Sequence, residues 1–319
     1  MNTNSPINIS VVIPTRNRPK IAIRAINSAL EQTIKAIEVI VVVDGPDEAT
    51  VTELQKINDS RLKIKSLPVN LGCADSRNAG VDEACGKWIA FLDDDDEWLP
   101  QKLELQLAAA EKYASPLTII ASRYIAKTPE NDFVIPKRLP DPEENISEFL
   151  FVRQSLFERA ESIQTSTFFV HKELLQKVPF THKLRKHVDW DWLIRVSAFE
   201  GVTIKIIPEV LVIRFCEEDR NRITNVKNWR FAREWIRSIK DYVTPQAYAS
   251  FLLRVATRQA SIAKDWRAFF PLLWEAFKEG KPRAEDFISF ILVWIIPLEL
   301  RQKLRFLKTK KISNINSTV

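Results

Sequence analysis

Residues Asp93-Asp94-Asp95-Asp96-Glu97 follow directly on the apolar run Trp88-Ile89-Ala90-Phe91-Leu92. Like charges crowded at a strand end repel, and they cost stability unless a cation offsets them. A hard cation such as Mg²⁺ prefers oxygen ligands, and two carboxylates completed by a diphosphate and waters suit it. The competing reading is an acidic turn or helix N-cap ahead of Leu99-Pro100, because Asp is favourable at a helix start anyway. Polar residues close two other apolar runs, as Pro14-Thr15-Arg16-Asn17 and as Asp44-Gly45. Between them and the aspartates lies Asn70-Leu71-Gly72-Cys73-Ala74-Asp75-Ser76-Arg77-Asn78-Ala79-Gly80. Gly72 suits the tight entry to a helix, and Gly80 allows that helix to pack closely. Arg77 and Asn78 offer donors toward a nucleotide. Taken alone, an arginine in such a place is more often a surface salt-bridge partner than a ligand residue, and Arg77 is no exception.

The elements that must position these groups alternate. Ile9–Ile13 and Ile37–Val43 are short β-branched runs of the kind buried in a parallel sheet. A helix is expected over 19–32, with Pro19 in its first turn and Ile23, Ile26 and Leu30 on one face. Further helices are expected at 48–57 and 73–85, and strands at 61–66 and 87–92. Strands alternating with helices imply an α/β fold, whose parallel strands end at a ligand crevice on their C-terminal side. Residues 128–148, rich in proline and acid, read as a loop or lid. Strands return at 117–125, 166–171 and 203–214, with a helix near 189–200. After about residue 225 only helices are expected, so the organisation is 1–225 and then 226–319.

Composition removes several alternatives. With 45% hydrophobic and 28% charged residues in 319, the chain is globular. Its six glycines form neither a G-x-G-x-x-G turn nor a phosphate-binding P-loop. Cys73, Cys85 and Cys216 are odd in number and lack a C-x-x-C, and there are just three histidines. Neither a disulfide framework nor a zinc site follows, and a reducing cytoplasm is the simplest compartment. The polar start MNTNSPINIS shows no leader, and no apolar run is long enough to span a bilayer. Net charge is +6, but residues 227–311 alone carry +10, leaving the remainder at about −4.

The blocks SVVIPTRNRP, VVVDGPDEAT, NLGCADSRNAG and KWIAFLDDDDEWLPQKL, followed by HVDWDWLIR, resemble in order and spacing the family 2 glycosyltransferases. The resemblance covers about residues 8–220. It implies a GT-A fold, with a mostly parallel sheet flanked by helices and a Rossmann-like nucleotide-binding half, here followed by a C-terminal helical extension. It also implies transfer of a sugar from a nucleotide-diphosphate donor, a UDP-sugar being the first choice, with inversion at the anomeric carbon. Pro14, Thr15 and Arg16 would line the nucleotide pocket, and Asp44 would face the base with Arg77 nearby. Asp93 and Asp95 match the family's Asp-x-Asp positions, where one carboxylate serves ribose or metal and the last binds Mg²⁺ or Mn²⁺. Four aspartates in a row keep Asp94 among the candidates. Asp189 matches the catalytic base, although Val188 stands where the family commonly has glutamate. Asp191 therefore stays in play, as does the reading of Asp189 as a helix cap. On a helix the two point to different faces, so only one can meet an acceptor.

Chemistry agrees with that outline. A diphosphate leaving group needs its developing charge neutralised, and a hydroxyl acceptor needs one carboxylate to take its proton. The acceptor is expected to be a saccharide or lipid-linked saccharide, in cell-surface polysaccharide or glycan assembly. A sugar nucleotidyltransferase and a non-catalytic saccharide-binding partner are the rivals. Trp266, Phe269, Phe270, Leu273, Trp274 and Phe277 fall at helical spacing. The apolar run 287–298 precedes Arg301, Lys303, Arg305, Lys308, Lys310 and Lys311. Two readings stand: a helical-bundle core with a solvated tail, or peripheral contact with an anionic membrane surface on its cytoplasmic face. No nucleic-acid module is present.

Overall fold

The computed structural model of the chain describes residues 8–113, 115–129, 131–156, 161–216, 228–296 and 300. These fall into two compact units, one drawn from Met1–Asp141 and Glu161–Ile223, the other from Pro142–Ala160 and Thr224–Val319.

The first unit opens with β1 (Ile9–Thr15), α1 (Pro19–Leu30), β2 (Ile37–Val43), α2 (Glu48–Leu54), β3 (Leu62–Ser66), α3 (Cys73–Glu83) and β4 (Trp88–Phe91). Every residue of β1 and β2 is buried, as suits mostly apolar strands covered on both faces, and the polar Ser10 and Glu38 bond to each other at 2.5 Å. The chain continues through β5 (Asp96–Trp98), α4 (Lys102–Tyr113), β6 (Thr118–Lys127) and β7 (Asp132–Ile135). It closes with β8 (Phe169–His171), α6 (Lys172–Lys177), α7 (Val188–Ser197) and β9 (Thr203–Phe215). The strands form one sheet in the order β3-β2-β1-β4-β8-β6-β9-β5, with β7 beside β6.

Strands β3, β2, β1 and β4 are parallel. From β1 the order runs outward to β2 and β3 on one side and to β4 on the other. This reversal opens a crevice at the C-terminal strand ends, and Thr15, Asp44 and Asp93 all lie at that end. Beyond β4 the sheet is mixed: β8 is antiparallel to both β4 and β6, and β5 is antiparallel to β9.

Two sequence expectations need correction here. The segment 128–148 is not all loop, because Asp132–Ile135 pairs antiparallel with β6, from Tyr124 opposite Ile135 to Lys127 opposite Asp132. Its Pro and acidic neighbours masked a four-residue edge strand. The strand expected at 166–171 begins only at Phe169, and Thr165–Thr167 form a 3₁₀ turn. There the Thr167 hydroxyl and amide both donate to the Gln164 carbonyl, which bends the chain before pairing starts.

Among its described residues the second unit has helices and connecting turns and no strand. It comprises α5 (Ile146–Phe151), α8 (Trp229–Ser238), α9 (Pro245–Ser250), α10 (Thr257–Ile262), α11 (Phe269–Glu279) and α12 (Ala284–Ile295). A π-helical segment, Phe251–Ala256, joins α9 to α10. Sequence alone assigns 142–160 to the first 225 residues. In the structure α5 groups with the helices, because Phe151 packs on Phe251 and Trp235 at ring separations of 5.0 and 6.4 Å. Two buried charge clusters fix the register of this bundle. Arg254 meets Asp286 at 2.5 Å with Ser250 also donating, and Glu275 is held by Arg233, Arg237 and Tyr248. The basic residues Arg301 to Lys311 lie outside the described residues.

Helix α3 must lie close on β1 to bring Arg77 to the strand ends. Gly80 makes this possible, since a Cβ at that position would collide with the Val12 side chain. Gly80→Ala is expected to destabilise the protein by about 1–3 kcal/mol through overpacking. Urea unfolding checks it, and an unchanged midpoint would show that β1 and α3 can part without cost.

Candidate active site

Side-chain exposure alternates along the aspartate run. Asp93 and Asp95 retain 28% and 16% of their surface, whereas Asp94 retains 4% and Asp96 is fully buried. The Asp96 amide donates to the Asp93 carbonyl at 3.1 Å, closing a tight turn that divides the run into an accessible pair and a buried pair.

Each buried member is neutralised locally. Asp94 accepts from the Thr15 hydroxyl at 2.8 Å and faces Arg18 at 3.4 Å. Burial, opposed by Arg18 and reinforced by Asp95, lifts its pKa to about 7. Asp96 accepts from Ser166 Oγ at 2.6 Å and from the Gln164 amide. Burial, with Asp95 and Asp93 adding repulsion, pushes its carboxyl well above the ordinary range.

Asp93 receives Arg77 Nη2 at 2.6 Å. Arg77 is 3% exposed, and its Nη1 lies 3.7 Å from Asp189 Oδ1. One guanidinium thus spans the carboxylate at the end of β4 and the carboxylate in the first turn of α7. Burial disfavours its charge, yet Asp93 and Asp189 together hold it more firmly protonated than a free guanidinium. Its Nε and Nη1 make no hydrogen bond, so donors remain buried at the crevice. The surface salt-bridge reading of Arg77 fails on this burial.

Asp189 accepts from the Thr165 hydroxyl and, at 3.4 Å, from the Thr165 amide. Burial raises its pKa and the negative charge of Asp93 adds to the rise, while Arg77 and Thr165 oppose it. It does not cap its helix: the N-cap is His187, in a left-handed conformation at φ 63°. Asp191 is buried on the other side of α7, accepting from Thr181 Oγ1 at 2.6 Å and Arg195 Nε at 2.8 Å. The structure therefore brings Asp189, and not Asp191, to Arg77 and Asp93.

The N-terminal candidates sit beside these groups. Pro14 is buried within β1 opposite Val42, and Thr15 ends that strand against Asp94. Arg16 is half-buried, with its Nη1 making no hydrogen bond. Asp44 is 7% exposed, and both its oxygens accept loop amides, from Leu71 at 2.8 Å and Gly72 at 3.0 Å. It thereby anchors the approach to α3, where Gly72 occupies the N-cap at φ 94°. Asn78 corrects a sequence expectation. Its amide is used on the Phe180 backbone, donating at 2.9 Å and accepting at 3.0 Å, because one step along a helix turns it away from Arg77.

A family model, glycosyl transferase family 2, matches residues 10–178. The chain belongs to that family. The enzyme is 25% identical over 306 residues to the amylovoran biosynthesis glycosyltransferase AmsB of Erwinia amylovora, covering 90% of this chain and 96% of that one. It is 26% identical over 285 residues to the putative colanic acid biosynthesis glycosyl transferase WcaA of Escherichia coli K12, covering 88% and 98%. Among solved structures, S. aureus TarS 1–349 in complex with UDP-GlcNAc superposes with a TM-score of 0.57 at 18% identity, covering 90% of each chain. That likeness establishes the fold as GT-A type.

Sequence reasoning missed three contributors. Arg18 faces Asp94 and Asp95, at 3.4 and 3.9 Å. Ser166 receives the Asp93 amide at 3.0 Å while donating to Asp96. Thr165 holds Asp189. The signal for the last two was the polar run Gln164-Thr165-Ser166-Thr167 before an apolar strand, a place where side chains have backbone and carboxylates to satisfy.

A carboxylate with a raised pKa loses its charge as pH falls, and with it any capacity to accept a proton. Activity should therefore decline on the acid side through the Asp189 pKa. Thr165→Val removes a hydrogen bond that favours the charged form, so the acid limb of the kcat profile should move to higher pH. A limb that stays in place would show that Asp189 does not govern it.

Proposed function

We propose that this glycosyltransferase moves a sugar from a nucleoside-diphosphate donor to a hydroxyl by single displacement with inversion. The observation that carries this reading is the buried Arg77 guanidinium linking Asp93 to Asp189. It sets a carboxylate on the donor side and a carboxylate of raised pKa on the acceptor side within one side chain of each other. Asp189 is the general base, taking the acceptor proton as the hydroxyl attacks. The one guanidinium meets both carboxylates, and its Nε and Nη1 have no hydrogen-bond partner. Pro14, Thr15 and Arg16 line the nucleotide side, and Asp44 holds the loop that closes it.

Asp95 and Asp93 are the residues that would hold a divalent cation. The donor set fits, since both are oxygen ligands and both keep accessible surface. Among the described residues no group of three or more His, Cys, Asp or Glu could hold a metal. A cation at Asp95 therefore depends on the diphosphate and water for its other oxygens. Bound there, Mg²⁺ or Mn²⁺ supplies Lewis-acid neutralisation of the leaving diphosphate. Asp94, turned inward to Thr15 and Arg18, is a positioning group in this reading.

A UDP-sugar is the donor we favour, in line with the UDP-GlcNAc and UDP complexes of TarS. We place the enzyme in cell-surface polysaccharide assembly, as the names of AmsB and WcaA suggest. Its acceptor is a saccharide, free or lipid-linked. WfgD of E. coli, 34% identical over 100 residues that cover 31% of this chain and 40% of WfgD, is named for a diphosphoundecaprenol-linked acceptor. A peripheral position on the cytoplasmic face of a membrane follows from such an acceptor. No described helix is long and apolar enough to cross one.

Asp189→Asn should lower kcat by about 100- to 10,000-fold, the usual contribution of a general base. Donor affinity, read by calorimetry, should stay near the wild-type value, and its loss would remove Asp189 from the acceptor side. The opposite pattern is expected of Asp95→Asn, in which Mn²⁺-dependent donor binding disappears. Donor binding that keeps its metal dependence in that variant would overturn the assignment of Asp95.

A further inference from the structure

Helix α11 carries its apolar stripe on the wrong side for a bundle helix. Ala268, Leu272 and Ala276 are fully buried, while Phe270, Trp274 and Phe277 are 76%, 71% and 55% exposed. These three recur at i, i+4 and i+7 and so form one continuous face. Trp266, 60% exposed, extends the face toward the start of the helix. Singly exposed apolar residues need no account, but a contiguous aromatic ridge does.

The ridge is held in place from beneath. Trp266 packs on the buried Trp294 at a ring separation of 4.6 Å, and Phe277 meets Phe287 edge-on at 6.1 Å. Its rim is basic. Lys264, Arg267, Lys278 and Lys281 are exposed around it. The acids of the same stretch are engaged within the unit: Asp265 by Arg230 and Trp229, Glu275 by Arg233 and Arg237, Glu279 by Lys240. The net charge around the aromatic face is therefore positive, and the sequence beyond it adds six more Lys and Arg between 301 and 311.

We propose that the α11 ridge docks on an anionic lipid bilayer, with Phe270, Trp274 and Phe277 entering the interfacial layer and the basic rim facing lipid phosphates. This rests on the peripheral placement argued above and names the surface responsible for it. Tryptophan and phenylalanine beside lysine and arginine are the composition of an interfacial helix, which gains from apolar burial and from anionic headgroups together. A second copy of the chain suits the ridge less well, since pairing it with itself would set two basic rims against each other.

Flotation of the full chain with phosphatidylcholine vesicles, with and without phosphatidylglycerol, tests the proposal. The wild type should float with the phosphatidylglycerol vesicles and be released by salt. Phe270→Ser combined with Trp274→Ser should reduce partitioning at least about tenfold. Its urea midpoint and its transfer to a soluble acceptor should stay as in the wild type. Equal flotation of this variant would overturn the assignment, as would equal binding of the wild type to uncharged vesicles. A wild type that ignores vesicles but elutes as a dimer, made monomeric by the same substitutions, would assign the ridge to self-association instead. Absence of nucleoside-diphosphate release from any donor would count against the enzymatic reading and leave flotation as a separate result.

Discussion

Four consecutive carboxylates cannot all remain charged side by side where the surroundings exclude water. The structure meets this constraint by geometry before any ion is involved. A turn closed by the Asp96 amide on the Asp93 carbonyl leaves Asp94 and Asp96 buried, and Asp93 and Asp95 partly accessible. The inward pair is stabilised by what it meets: Thr15 and Arg18 for Asp94, Ser166 and Gln164 for Asp96. The partners come from β1, the residues just after it, and the turn before β8. Seating the aspartates thus requires two stretches distant from them in sequence, 15–18 and 164–166, to be in place. The site and the fold that carries it are specified by the same contacts.

Arg77 extends the same logic across the crevice. With the outward Asp93 left charged, a buried counter-charge is needed, and α3 delivers it because Gly80 lets the helix lie against Val12. The guanidinium then reaches Asp189 as well, so the carboxylate just after β4 and the one in α7 share one cation. A consequence is that charge arriving on either carboxylate is felt at the other through Arg77. Thr165 supports Asp189 while the adjacent Ser166 supports Asp93 and Asp96, so one 3₁₀ turn sets both sides of the site.

What could be read from the sequence follows from which interactions are local. Mostly apolar, β-branched runs at 9–13 and 37–43 announced covered parallel strands, and the polar residues closing them announced the crevice. The alternation of the aspartates could not be read, since a run of identical residues has no pattern to reveal which face each takes. The choice between Asp189 and Asp191 was equally closed to sequence. Both stand in the first turn of α7, and what separates them is Thr165 from a distant turn on one, and Thr181 with Arg195 of the same helix on the other. Asn78 reads in the sequence as a ligand donor beside Arg77, but on a helix adjacent residues face different ways, and Asn78 turns to the Phe180 backbone. Edge strand β7 was hidden by composition, since its pairing partner lies across a turn and its prolines and acids belong to the flanks.

The helical unit shows the complementary failure of periodicity. Spacing alone identified 266–277 as amphipathic, and it is, but periodicity cannot say which face is the inner one. Helix α11 also carries Glu275, and that single carboxylate decides the matter. Arg233, Arg237 and Tyr248 all converge on it, so the side of the helix bearing Glu275, with Leu272 and Ala276, must turn inward. Turning the helix over would take Glu275 from all three of its partners. Phe270, Trp274 and Phe277 lie on the side away from the cluster and stay exposed. An apolar face that a bundle could have hidden is in this way held at the surface by charge inside it.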